Sequence, residues 1–220
     1  MNHIWKRSIW AALLTMATLF AAGCSDDNGT NSANQSAVPA ITAANGSSAV
    51  VSDTFVYTMN EDNTITITDY TGDAEILMIP DTIDGFAVTK IGDHAFEANW
   101  NLTSVTLPNG LISIEESAFI DCGNLATVII PESVSTIRRA AFASCSSLTE
   151  LTLPASVSTV EEEAFTGCGS LTNLTIQNPM LAYSQWWSAG ETIPATITCP
   201  SGSTIEQWAT ENGVATQPLS

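Results

Sequence analysis

The sequence predicts a β-rich repeat solenoid with a little helix (α+β), wound as a short right-handed coil with one parallel sheet face. Three observations predict it. A 23-residue cassette recurs without gaps over residues 88–110, 111–133, 134–156 and 157–179. Its apolar positions fall in register from copy to copy. The flanks carry different signals, for an N-terminal β-hairpin cap and a C-terminal cap with a short helix. Self-similarity at a short fixed period means units that bury their apolar residues only by stacking on neighbours.

In chain order, Lys6 and Arg7 precede the apolar stretch 9–22, which leads into Ala21-Ala22-Gly23-Cys24. A membrane-spanning helix needs about 20 apolar residues, so residues 1–23 read as an export signal peptide. The small residues before Cys24 resemble a bacterial lipobox, which implies lipidation of Cys24. Asp26 and Asp27 behind it resemble the surface-export signal of some Gram-negative lipoproteins. The expected location is therefore outside the cytoplasm, lipid-anchored to the bacterial envelope at the outer membrane or cell surface. Residues 24–52 are Ser-, Asn-, Ala- and Thr-rich, too poor in apolar surface to offset ordering, and read as a flexible tether.

Residues 53–87 form the expected N-terminal cap. Residues 54–58 and 64–68 are β-branched runs around Asn60-Glu61-Asp62-Asn63, a hairpin signal. A partial rung at 74–80 follows, then turn chemistry in Asp81-Thr82-Ile83-Asp84-Gly85.

Within residues 88–179 each copy reads approximately V-x-x-I-x-x-x-A-F-x-x-C-x-x-L-x-x-L-x-L-P-x-S. Leu102, Leu125, Leu148 and Leu171 form one column, and Phe96, Phe119, Phe142 and Phe165 another. Ala95, Ala118, Ala141 and Ala164 precede the Phe column, where a larger side chain would clash with the next rung. Each buried Leu, Ile or Phe contributes about 1.5–3 kcal/mol. Pro108, Pro131 and Pro154 end the L-x-x-L-x-L strands by lacking an N–H. In the fourth copy Gln177 stands where that proline is expected. Over residues 55–213 this pattern resembles the BspA-like leucine-rich-repeat family of bacterial surface proteins. The resemblance implies a leucine-rich-repeat coil and an adhesin-like, non-catalytic role at the cell surface.

Formal net charge is −18, from 23 Asp and Glu against 5 Lys and Arg. Such a surface repels phosphate backbones and anionic lipid, so nucleic acid is not expected as a partner and the membrane is reached only through the anchor. Cys122, Cys145 and Cys168 share one column, with Asn99 in the first copy. Metal sites need ligands converging on one point, whereas these thiols point in parallel, so a buried ladder is the reading. Cys199 falls in a final strand. Arg138 stands between Glu115 and Glu161, and Arg139 between Glu116 and Glu162, a charge complementation across rungs. His94 stands without a catalytic partner, and no phosphate loop or H-E-x-x-H motif occurs. The chain is expected to be no enzyme, to need no cofactor or metal and to be a monomer.

In L-x-x-L-x-L the residues between the apolar ones face outward. They form two columns, Ser104, Thr127, Glu150 and Asn173, and Thr106, Ile129, Thr152 and Thr175. This is the candidate binding face for a protein or glycan. Two alternatives stand beside it. Trp186 and Trp187, in the expected cap at 180–220, could stack on a sugar or seal the end of the core. The chain could also be an envelope spacer with no specific ligand. In the same cap Ser203 and Glu206 fit a helix capping box, with Asn212-Gly213 as the stop.

Overall fold

A computed structural model describes residues 54–191 and 196–219, and the backbone of 40–42 and 48–52. At the N-terminal end, β1 (Ala40–Thr42), β2 (Ser48–Ser52), β3 (Phe55–Met59) and β4 (Ile65–Tyr70) pair antiparallel in sequence order. The expected hairpin is β3–β4. After it come β5 (Ile76–Met78), β6 (Thr82–Ile83) and β7 (Phe86–Ile91). Asp84 and Gly85 join β6 to β7 with φ of 52° and 84°. Two positive φ values define the two-residue turn that Asp-Gly favours, because its twist matches that of the strands.

The repeats then contribute two strands each. From L-x-L come β8 (Ser104–Thr106), β10 (Thr127–Ile129), β12 (Glu150–Leu153) and β14 (Asn173–Ile176). From V-x-x-I come β9 (Ser113–Ile114), β11 (Thr136–Ile137) and β13 (Thr159–Val160). The chain ends with β15 (Thr196–Cys199), α1 (Thr204–Glu211) and β16 (Ala215–Pro218).

The parallel coil is as expected, and it carries more than one ladder. The V-x-x-I strands continue the cap in the order β4-β7-β9-β11-β13, all parallel. The L-x-L strands divide into two sheets, β5-β8-β10 and β12-β14-β15-β16. In the fourth copy Gln177 donates its N–H to the Leu153 carbonyl at 3.0 Å, a bond proline cannot make,.

A third side of the coil is made of turns, yet it is bonded just as regularly. Phe96, Phe119 and Phe142 each donate a backbone N–H to the alanine carbonyl of the next rung, at 2.8, 2.8 and 2.9 Å. This path needs left-handed backbone twice per rung. His94, Ser117, Ala140 and Glu163 have φ of 53–61°, and Ala98, Asp121, Ser144 and Gly167 have φ of 55–75°. Only the last is the residue type that adopts it without penalty.

The columns fill one continuous core. The Phe rings stack with centroids 4.8, 5.4 and 6.2 Å apart along the axis. Each Ala of the preceding column is at most 1 % exposed, which leaves no room for a larger side chain. Helix α1 starts at the expected N-cap Ser203, with the return bond of the capping box falling one residue earlier than the box predicts,. Ser203 Oγ accepts the Glu206 N–H at 3.2 Å, while the Glu206 carboxylate takes the Gly202 N–H. Ile205 and Ala209 are its buried face, and Gly213 at φ 70° ends it.

Candidate binding face

The two outward columns are brought together as expected. Ser104 is level with Thr127 and Thr106 with Ile129, and Glu150 is level with Asn173 and Thr152 with Thr175. Parallel pairing in strict register places these side chains in rows along the axis. Thr127, Ile129, Glu150, Thr152 and Asn173 are exposed, and Ser104, Thr106 and Thr175 are half-buried. The buried residue between each pair, such as Val105 or Leu151, pins the strand to the core.

The structure extends this face at both ends. Ile76 aligns with Ser104 and Met78 with Thr106. Thr196 and Thr198 continue from Asn173 and Thr175, followed by Ala215 and Gln217. Ile76 and Met78 are 73 % and 75 % exposed, and Ile129 is 54 % exposed. The sequence period misses the first two because β5 precedes β8 by 28 residues rather than 23. The apolar-out, apolar-in, apolar-out triplet Ile76-Leu77-Met78 is the signal that could have found them.

No strand pairing joins β10 to β12. The face therefore has an N-terminal part with three exposed apolar side chains and a C-terminal part that is hydroxyl, amide and carboxylate.

Trp186 and Trp187 are 0 % and 4 % exposed. Trp186 packs edge-on to Phe165, 6.2 Å away, and donates Nε1–H to the Val160 carbonyl at 3.1 Å. Trp187 stacks on Tyr183, which also stacks on Trp208 at 3.9 Å and tilts against Trp186 at 5.3 Å. The pair seals the core. A sugar needs an exposed ring face, and neither tryptophan offers one, so of the two alternatives for this pair the structure fits the seal and not the glycan contact. The most exposed aromatic among the described residues is Trp100, 58 % accessible, lying over Gly123, where a Cβ would sit 2.6 Å from the indole.

The three column cysteines form the expected buried ladder, and the structure leaves them as free thiols, a point the sequence leaves open. Cys122, Cys145 and Cys168 donate S–H to the carbonyls of Phe96, Phe119 and Phe142 at 3.0, 3.3 and 3.1 Å. Burial in apolar surroundings pushes Cys122 and Cys168 up to about 12, and Cys145 well up too, so these thiols are poor nucleophiles. Among the described residues no cluster of His, Cys, Asp or Glu is placed to hold a metal.

Arg138 bridges Glu115 at 3.2 Å and Glu161 at 2.9 Å, as expected. Arg139 bridges Glu116 at 3.2 Å, but its second partner is Glu163 at 3.4 Å, not Glu162. Residue 163 has left-handed backbone, a conformation the sequence does not announce at a glutamate. His94 is exposed and its Nδ1 lies 3.1 Å from Glu97. The lipidation residue Cys24 lies outside the described residues.

The model for the BspA-type leucine-rich repeat region matches residues 77–209 in six copies, reaching past both ends of the four full cassettes. The chain belongs to the BspA-type leucine-rich-repeat family. Among solved structures it is similar to a leucine-rich repeat protein from Bacteroides capillosus, at 32 % identity and TM-score 0.53, covering 58 % of this chain and 97 % of that one. It is also similar to a leucine-rich cell surface protein from Faecalibacterium prausnitzii, at 29 % identity and TM-score 0.57, covering 70 % of this chain and 46 % of that one. At 20 % identity the pneumococcal vaccine antigen PcpA shares the fold, with TM-score 0.54 over 76 % of this chain and 47 % of the antigen. No curated protein matches the chain.

Proposed function

We propose that this is a surface-exposed repeat protein of the bacterial envelope that works without catalysis, binding a protein through the outward face of its strand ladder. The carrying observation is the exposure of Ile76, Met78 and Ile129 on that face. The repeated columns are spent on the core, so these residues are free of a packing duty. Exposed apolar side chains in a polar surround favour a protein partner. The absence of an aromatic from the two outward columns counts against sugar, for which ring stacking is the usual platform. Family membership and the likeness to a protein described as cell-surface support the location. An N-terminal lipid on Cys24 would hold the coil at the envelope.

Two experiments test this. Pull-down of extracellular proteins with the full chain should lose its captured partner when Glu150, Thr152 and Asn173 are each replaced by alanine together. Capture unchanged by that triple variant would remove the C-terminal part of the face from the proposal. For the anchor, metabolic labelling with a fatty-acid analogue should mark the wild type and not Cys24→Ser. Labelling that survives the substitution rejects the anchor.

A further inference from the structure

The two ladders that begin at the N-terminal end are finished differently. The V-x-x-I ladder runs into the antiparallel strands β4, β3 and β2. The L-x-L ladder stops at β5, which pairs only with β8 among the described residues. Its polar backbone is therefore divided between two sides. Glu75 accepts from Thr103 and Ser104, at 2.8 and 3.2 Å, and Ile79 donates to Thr106 at 3.0 Å. Backbone groups on a strand alternate in direction, so the N–H and C=O of Ile76 and Met78 point to the open edge. The same two residues carry the most exposed apolar side chains of the face. Natural edge strands are guarded by shortness, charge, Pro or a bulge; β5 is short and flanked by acids, but Ile76-Leu77-Met78 itself carries no Lys, Pro or other charge.

We propose that the β5 edge accepts an extended, cationic segment of a partner protein as an added strand. This rests on the reading of the strand ladder as the interaction surface and gives it a partner chemistry. Charge argues for the occupant. Asp73, Glu75 and Asp81 are exposed on either side of β5. The cations among the described residues are Lys90, Arg138 and Arg139, and both arginines are already held by glutamates. A second copy of this chain would bring the same acids against one another, whereas a Lys- or Arg-bearing strand neutralises them. Strand addition supplies affinity through main-chain bonds and selectivity through alternate side chains. Ile76 and Met78 would meet apolar residues of the incoming strand on the outward face.

The test uses the full chain and three short peptides, an alternating Lys–Val sequence, its Glu–Val counterpart, and the Lys–Val sequence with N-methylated backbone. Titration calorimetry should show binding of the first alone, weakening as salt rises. Met78→Pro deletes an N–H that faces the edge and leaves the bonds to β8 in place. It should weaken Lys–Val binding by up to roughly tenfold, the loss of one main-chain hydrogen bond, with an unchanged melting temperature. Asp73→Asn with Glu75→Gln, which keeps the strand intact, should weaken it less and flatten the salt dependence. Equal binding of the Glu–Val and Lys–Val peptides would falsify the cationic partner. Binding that survives both backbone N-methylation and Met78→Pro overturns strand addition. So does a concentration-dependent dimer that Met78→Pro dissolves, since the edge would then belong to a second copy. The alanine variants at Glu150, Thr152 and Asn173 separate this idea from the broader one: they test the face without touching β5.

Discussion

The turn side of the coil and its strand face share one period and treat it in opposite ways. On the turn side Ala and Phe recur in all four rungs and Cys in three, every one buried, with rings stacked and thiols bonded to the rung before. On the strand face the inward residues recur strictly as apolar ones, while the outward ones keep at most a threonine and otherwise vary. The outward ones run from Ile76 and Met78 through Glu150 to Thr198, and the hydrogen-bonded ladder itself divides between β10 and β12. Repetition therefore marks where a side chain must fit its own copy next door. Variation marks where it answers only to solvent or a partner.

Substitutions can break that contrast, the largest effect coming from the turn side. Phe142→Ala removes the middle of the ring stack at a fully buried position. It should cost about 3–5 kcal/mol, read as a lower urea midpoint, and a loss below 1 kcal/mol would show that the stack carries no load. Alkali should come next. The folded state holds Cys122 and Cys168 neutral up to about 12, while free thiols ionise near 8.5. The unfolded chain thus loses protons first, so stability is full below about pH 8.5 and declines as pH rises toward 12. Melting temperature should fall over that range, and fall less in Cys122→Ala.

Smaller effects follow from backbone and charge. Gly167→Ala places a Cβ 3.1 Å from Ser144 Cα at φ 75° and should cost about 1 kcal/mol. Asp121→Gly, the reverse change in the same column, should stabilise, and equal destabilisation by both would refute the left-handed explanation. Arg138→Met should cost at most about 1 kcal/mol, because its guanidinium is half exposed to solvent,. On the strand face Thr152→Ala should leave stability within about 0.5 kcal/mol, and a larger loss would make that face structural.

How much was legible in the sequence follows the same division. The core columns, the hairpin, the helix cap and the outward residues of four rungs could be read directly, because packing against a copy of oneself writes a period. The V-x-x-I ladder could not, since only two residues per rung pair there, too few to show alternation. Ile76 and Met78 were hidden by the change of spacing ahead of the first cassette. The burial of both tryptophans was open because an end cap packs once and leaves no periodic trace. Arg139 turning to Glu163 depended on a positive φ that composition does not show.

The direction of the turn-side bonds has an electrical consequence. In the Ala–Phe peptides from Phe96 to Phe165 the phenylalanine N–H points toward the C-terminal end and the alanine carbonyl of Ala95, Ala118, Ala141 and Ala164 toward the N-terminal end. Peptide dipoles aligned in this way add, as they do in a helix, leaving partial positive charge where the column stops. There the last donors are Glu163, Phe165 and Gly167. The first two reach the carbonyls of Gln185 and Trp186, at 2.8 and 3.0 Å. The third meets both oxygens of the Glu191 carboxylate at 3.2 Å. A solenoid with hardly any helix thus ends as a helix begins, with an anion seated on its positive pole.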